Sequence, residues 1–485
     1  MRRRVFISIV VLVGVIVSTR FSQGLGAREQ RVGGPPPEIR TLIDDFLKAV
    51  NSGSAQQFEA MAQAHYAVAL LKKETAKDRA ALYDRIRKEL GTLSMDRVER
   101  QGPDAPLELN VKGSTGTNGI ISIETEADAP YRITAINIDA RRRNDVSTGD
   151  PRPGPAIDAG MSEQALTRGL DAYLSKLAAE DVLSGAALVA RDGRAIFQKA
   201  YGLANRSAGI ANTTAMRFNL GSINKKFTEI AVAQLVASGK LAYDDTVGKF
   251  FPAYPQEISR PATLRQLLQH TGGISDFFGE EFSRTAKDRF RSNADYFQLV
   301  SHLPALFAPG ARNQYCNGCY ITLGAIIERV TGSPYEQYVD AHIFRPAGMS
   351  STGYPQIDGI ETNIAVGYTR RTGDGSLRSN VFMHGAAGSA AGGGYSTIGD
   401  MLAFDNALRE GRLLTPDATV ALLGGKPAAS GRAGGGMGIA GGAPGTNAVL
   451  ESNGTWTVVV LTNLDPRAGE DTGTAIMRAL ERRKG

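Results

Sequence analysis

Cysteine is almost absent from this chain: two occur in 485 residues, Cys316 and Cys319. That excludes a framework of structural disulfides and a four-cysteine zinc site. Histidine is scarce too, and His65, His270, His302, His342 and His384 form no ligand pair at short spacing. No metal and no cofactor is expected. The glycine-rich stretches 385–394 and 431–445 lack the Gly-Lys-Ser/Thr of a phosphate loop. Positive charge is in excess (+6) but never concentrated; its densest run is Arg141-Arg142-Arg143, with no basic stripe interleaved with aromatics. Nucleic acid is therefore not an expected partner. A long hydrophobic run is missing as well. The longest, Val5 to Val17 behind Arg2-Arg3-Arg4, would be a helix of about 20 Å, short of a ~30 Å hydrocarbon core. It reads as a secretory signal peptide with an imperfect cleavage box, Leu25-Gly26-Ala27. Export to the periplasm or the medium is expected, with membrane attachment only if the leader stays uncleaved.

What is present suggests two folded units, since the length exceeds one typical core. The expected division is a signal peptide (1–27), a spacer (28–37) with Gly33-Gly34-Pro35-Pro36-Pro37, and a small α+β domain (38–143). A linker (144–160) carrying Pro151, Pro153 and Pro155 follows, then a large domain (161–485). In the first domain Ile39, Leu42, Ile43, Phe46, Leu47 and Val50 recur at helical spacing. Further helices are expected over 55–71 and 76–90. The pattern then turns to period two over 106–112, 118–125 and 131–139, so helices precede antiparallel strands. This order resembles, in shape only, the nuclear-transport-factor-2-like fold. It carries no acid, base or metal constellation, and a spacer or partner-docking role is expected.

The large domain opens with a helix over 162–179 and a hairpin, Ala186–Ala190 and Ala195–Phe197, turning at Asp192-Gly193. Its end mirrors this: Ala448–Leu450 and Thr455–Leu461 flank Asn453-Gly454, and a helix over 468–483 closes the chain. A sheet built from both ends of the domain, with helices inserted between them, is an α+β sandwich.

Between those ends lies Phe218-Asn219-Leu220-Gly221-Ser222-Ile223-Asn224-Lys225-Lys226-Phe227. A glycine turn delivers Ser222 to the mouth of a helix, where Lys225, three residues on, shares its face. A serine hydroxyl becomes a good nucleophile only when a neighbour takes its proton, and an amine one turn away can do so. Alone, these four residues describe equally a helix cap and a surface lysine. They are followed, however, by Leu267-Leu268-Gln269-His270-Thr271-Gly272-Gly273, then by Tyr315-Cys316-Asn317 ahead of Leu323-Gly324-Ala325-Ile326-Ile327. This ordered set resembles the serine β-lactamase and penicillin-binding-protein superfamily, and within it the class C-like serine hydrolases and esterases, from about residue 165 to 465. The resemblance implies an antiparallel sheet flanked by helices, with Ser222 as acyl-accepting nucleophile and Lys225 and Tyr315 moving its proton. It also implies Asn317 binding an acyl-side carbonyl and orienting Lys225, and an oxyanion hole from the N–H groups of Ser222 and Gly442. His270 is expected to buttress the site rather than perform chemistry.

One motif departs from the pattern. Where the family places Lys or His, then Thr, Ser or Gly, then Gly on a strand beside the nucleophile, this chain has Ile439-Ala440-Gly441, followed by Gly442. Ile439 cannot hold a carboxylate, and a lost charge-assisted hydrogen bond costs ~1.5–3 kcal/mol. Gly441 and Gly442 keep their backbone groups. The reading is therefore an exported serine hydrolase acting on a neutral small-molecule or peptide acyl substrate, an ester or uncharged amide. The alternatives are a penicillin-binding enzyme (β-lactamase or D,D-carboxypeptidase-like) and a non-catalytic binding module on the same fold. Oligomeric state is open, and so is whether Cys316 and Cys319 form a disulfide or pack as thiols.

Overall fold

The structure is a computed structural model. It describes residues 36–482 except 100–106, 116, 127–128, 143–153, 159, 312, 372–374 and 424–434. The expected signal peptide, nearly all of the spacer and most of the linker lie outside the described residues. No helix among the described residues is long and apolar enough to cross a membrane.

Residues 36–142 pack a core of their own. Helices α1 (Pro37–Asn51), α2 (Ala55–His65), α3 (Val68–Lys73) and α4 (Ala76–Glu89) precede an antiparallel meander of β1 (Leu93–Glu99), β2 (Leu107–Gly113), β3 (Thr117–Thr125) and β4 (Ile133–Arg142). The stripe Ile39, Leu42, Ile43, Phe46 and Val50 is buried on Phe58, Tyr83 and alternate residues of the sheet such as Leu107, Leu109, Val111, Ile121 and Ile123. The single helix expected over 55–71 is broken at Tyr66 and Ala67. Tyr66 is extended there (ψ 144°), and the Ala67 N–H donates to the Ile133 carbonyl at 2.8 Å instead of to the helix.

The second part begins with α5 (Glu163–Ala179) and holds a five-stranded antiparallel sheet. From edge to edge the order is β7 (Met437–Ala443), β8 (Thr446–Ser452), β9 (Trp456–Thr462), β5 (Gly185–Arg191) and β6 (Arg194–Tyr201). Both ends of this part thus enter one sheet, as expected, with β9 paired to β5 from Trp456↔Arg191 to Thr462↔Gly185. Both faces of the sheet are covered, which explains why its central strands are apolar throughout rather than alternating. Ala187, Val189, Val458 and Val460 face Leu166, Leu170 and Leu174 of α5 together with Ile476 and Leu480 near the C-terminus. Ala186, Leu188, Val459 and Leu461 face the inserted helices.

Three helices finish the frame: α6 (Asn224–Ala237), α7 (Asn317–Thr331) and α8 (Ala468–Arg482). Phe227 of α6 is fully buried, with its ring edge-on to Phe344 (5.0 Å) and Phe404 (5.1 Å). Burial of one such ring stabilises the fold by roughly 1.5–3 kcal/mol. α7 is buried along most of its length and ends at Gly332, whose φ of +71° lets the chain leave the helix. The frame therefore fixes the start of α6, the start of α7 and the edge strand β7 relative to one another.

Candidate active site

The site is assembled where those three places meet. Ser222 lies in a 3₁₀ turn, Gly221–Ile223, immediately before α6. That turn exists because Gly221 sits at φ +51° and is packed on β7; a Cβ there would fall 2.8 Å from the Gly442 nitrogen. The reverse contact is tighter. A Cβ on Gly441 would lie 2.0 Å from the Leu220 carbonyl oxygen and 2.7 Å from the Ser222 nitrogen. The Ser222 turn and the edge strand thus touch backbone to backbone, with the nitrogens of Ser222 and Gly442 flanking the contact. The Ser222 N–H stands in a first helical turn, where the helix itself offers no acceptor.

Ser222 does not cap α6; neither the 3₁₀ turn nor the helix has a side-chain cap. Its Oγ instead accepts from Tyr315 Oη at 2.5 Å and from Lys225 Nζ at 3.2 Å. Lys225 is buried to 5% exposure, and its remaining hydrogens go to Asn317 Oδ1 (2.8 Å) and the Ala391 carbonyl (2.6 Å). Burial pushes the Lys225 ammonium down to about 7, against the smaller opposing pull of Asp276 and Glu229. The ring faces of Tyr315 and Tyr320 lie 4.7 and 5.4 Å from Nζ.

Tyr315 and Asn317 reach the serine and the lysine from a segment in which Cys316 alternates away and is buried. Asn317 is the first residue of α7, and its side chain meets Lys225. Although more than half of the residue is exposed, desolvation of the phenol raises Tyr315 above its ordinary value, with the Ser222 hydrogen bond opposing and Asp276 adding to the rise. The phenol is therefore protonated at neutral pH. Cys316 and Cys319 are joined in a disulfide, which answers the question left open by their spacing. Ile439 stands on the same strand face as Gly441, part-buried against the larger core, and Ala440 is exposed.

Three participants were not identified from sequence. Asp276 Oδ2 accepts from Asn317 Nδ2 at 2.8 Å, which fixes the amide so that its oxygen faces Lys225. The Ala391 carbonyl comes from the glycine-rich stretch 385–394, which pointed to a loop and gave no chemical role. Glu229 Oε1 accepts from Tyr320 Oη at 3.0 Å behind the lysine. An acidic residue beside an aromatic pair, Asp276-Phe277-Phe278, was the only available signal for the first of these.

Comparisons with known proteins bear on the family of the chain. The family model described as Beta-lactamase matches residues 170–481. The chain is 32% identical over 252 residues to the Bacillus subtilis (strain 168) protein named "Putative penicillin-binding protein PbpX", covering 52% of this chain and 61% of that relative. It is 30% identical over 286 residues to Esterase EstB of Burkholderia gladioli, covering 51% and 71%. It therefore spans less than two thirds of PbpX and more than two thirds of EstB. A crystal structure of a penicillin binding protein from Bacillus halodurans superposes with a TM-score of 0.55 at 31% identity, over 63% of this chain and 98% of that one.

Proposed function

The chain belongs to the beta-lactamase family, and from that premise we propose that it is an exported serine hydrolase working through an acyl-enzyme on Ser222. The observation that carries this reading is the pair of hydrogen bonds on one oxygen, from Tyr315 Oη and Lys225 Nζ. An amine poised near 7 is half neutral at neutral pH. In that form it has two hydrogens, and Asn317 Oδ1 and the Ala391 carbonyl are in place to hold both. The lone pair is then left facing Ser222 Oγ. As Oγ attacks the acyl carbonyl, its proton passes to Lys225. The Tyr315 phenol, kept protonated, then hands a proton to the leaving oxygen or nitrogen and is recharged from Lys225. The N–H groups of Ser222 and Gly442 receive the developing oxyanion, and water completes the cycle by the reverse route.

The substrate is a neutral acyl donor, an ester or an uncharged amide, because Ile439 offers no cation to a carboxylate. Export is supported by the leader pattern and by the Cys316–Cys319 disulfide, which suits an oxidising compartment. Residues 38–143 act as a separate spacer or docking unit. The test is a stoichiometric burst with an activated neutral ester, together with intact-mass detection of the adduct. Both are expected in the wild type and absent in Ser222→Ala. An adduct that persists in that variant overturns the assignment. Stable labelling by a fluorescent penicillin, with no ester burst, would favour the penicillin-binding alternative that the name of PbpX suggests.

A further inference from the structure

His270 follows the short helix Leu264–Leu268 and turns the chain at φ +61°. This left-handed conformation is open to glycine and, among other residues, chiefly to Asn, Asp and His. The turn brings three parts of one residue onto the segment carrying Tyr315. The His270 carbonyl accepts from the Gln314 N–H at 2.9 Å. Its Nδ1 accepts from the Cys316 N–H at 3.2 Å. Its ring lies against the Tyr315 ring, with centroids 4.9 Å apart and planes inclined by 30°. Residues 314 and 316 are the chain neighbours of Tyr315, so a single side chain and its own carbonyl hold the backbone on both sides of the phenol and one face of its ring.

The other side of the imidazole is anchored. It meets the Tyr320 ring at 5.2 Å, and Tyr320 Oη is tied to Glu229 Oε1 at 3.0 Å and to the Leu268 carbonyl at 3.1 Å. Tyr315 itself is 54% exposed, so packing alone does not fix it. An Nδ1 that accepts a hydrogen bond belongs to a neutral ring carrying its proton on Nε2. Burial disfavours the imidazolium here, and so does the neighbouring Lys225 charge, with Glu229 opposing. The contacts of the ring are the Cys316 N–H and the tilted rings of Tyr315 and Tyr320, which suits a support and not a proton carrier.

We propose that His270 is the positioning residue for Tyr315: it bridges the fixed Tyr320 and the Gln314–Cys316 backbone, and so sets the phenol oxygen on Ser222. The inference rests on the acyl-enzyme reading for its kinetic consequence, but not for its structural one. A misplacement of about 1 Å near the reacting atoms costs on the order of a hundredfold in rate. Asn317, the nearest substrate-side group, is held independently by Lys225 and Asp276, so the loss falls on the acylation rate constant and leaves the half-saturating ester concentration of single-turnover acylation nearly unchanged.

Two substitutions separate the roles. Glycine and asparagine both tolerate a positive φ, so His270→Gly and His270→Asn keep the turn. Asparagine also places Oδ1 as many bonds from Cα as Nδ1 is in histidine, and so restores the acceptor for the Cys316 N–H. In His270→Gly, the saturating single-turnover acylation rate is expected to fall about 10- to 100-fold, with its half-saturating ester concentration within about twofold; in His270→Asn the rate recovers to within about fivefold of wild type. Amide exchange of residues 313–317, read by mass spectrometry on the full chain, is expected to quicken in His270→Gly and to stay near wild type in His270→Asn. Unchanged exchange and acylation in His270→Gly would overturn the proposal. So would a folded His270→Asn as slow as, and exchanging as fast as, His270→Gly. If His270→Gly does not fold, His270→Asn alone decides: a folded variant with wild-type melting but little acylation is the overturning result. If the wild type shows no Ser222-dependent burst, the hydrolase reading fails, and the exchange data still judge His270.

Discussion

At the scale of single residues, the proposed acyl-enzyme route makes Lys225 the group that sets the response of the site to pH. Its amine is buried and lowered to about 7 by that burial, and only the neutral form can take the serine proton. Acylation is therefore expected to rise with pH through about 7 and level off above it, falling about tenfold per unit on the acid side. A rate measured from pH 5 to 9 with an uncharged ester checks this; a flat profile would rule out the lysine as base. The same shift has a stability consequence of definite sign. The folded value lies below the ordinary lysine value, so between the two the unfolded chain binds the extra proton, and this site's contribution to stability grows as pH rises through that interval. Ser222, Lys225, Tyr315 and Asn317 were legible in the sequence because each belongs to a short motif with its own spacing. Asp276 and the Ala391 carbonyl were not. They meet Asn317 and Lys225 across separations of 41 and 166 residues, and nothing local marks an ordinary aspartate or a backbone carbonyl for such a role.

At the scale of elements, β7 is the part whose sequence is most constrained by the site. Its Gly441 has no room for a methyl group, since the atoms in the way are the Leu220 carbonyl and the Ser222 amide, neither of which can swing aside. A methyl group on Gly438, on the same strand, would meet nothing within 4 Å. Gly441→Ala is accordingly expected to displace the nucleophile turn, lowering acylation at least about a hundredfold and stability by about 1–3 kcal/mol. Gly438→Ala should leave both close to wild type. Burst kinetics and thermal melting of the two variants make the comparison, and equal behaviour would remove β7 from the account of the site. Among the other elements, the strands buried on both faces and the amphipathic helices were readable from apolar spacing. β1 was not, because Ser94-Met95-Asp96-Arg97 interrupts any alternation and the pairing with β2 shifts register between Met95 and Arg97. Pairing with a neighbouring strand makes it a strand, and single-sequence periodicity does not register that.

At the scale of the whole molecule, the chemistry and the first core are built from separate stretches of chain. No residue of the nucleophile turn, the Tyr315 segment or β7 comes from 36–142, and the core of that region draws only on residues 39–138. By contrast Ile157 and Met161 pack on the α5–α8 face of the large sheet, and the Gly154 backbone lies against the Ala475 carbonyl. A cut that preserves the hydrolase should therefore fall before Gly154. Removing residues 1–153 is expected to leave a folded protein whose Ser222 burst with a small ester is within about threefold of the full chain, since no residue that builds the site is removed. The full-length protein should show two calorimetric transitions and the shortened one a single transition matching one of them. A shortened protein that folds but acylates no small ester would mean that the first unit completes the catalytic cleft. A normal burst with small esters, joined to a loss on the physiological substrate, would assign that unit to recognition at a distance.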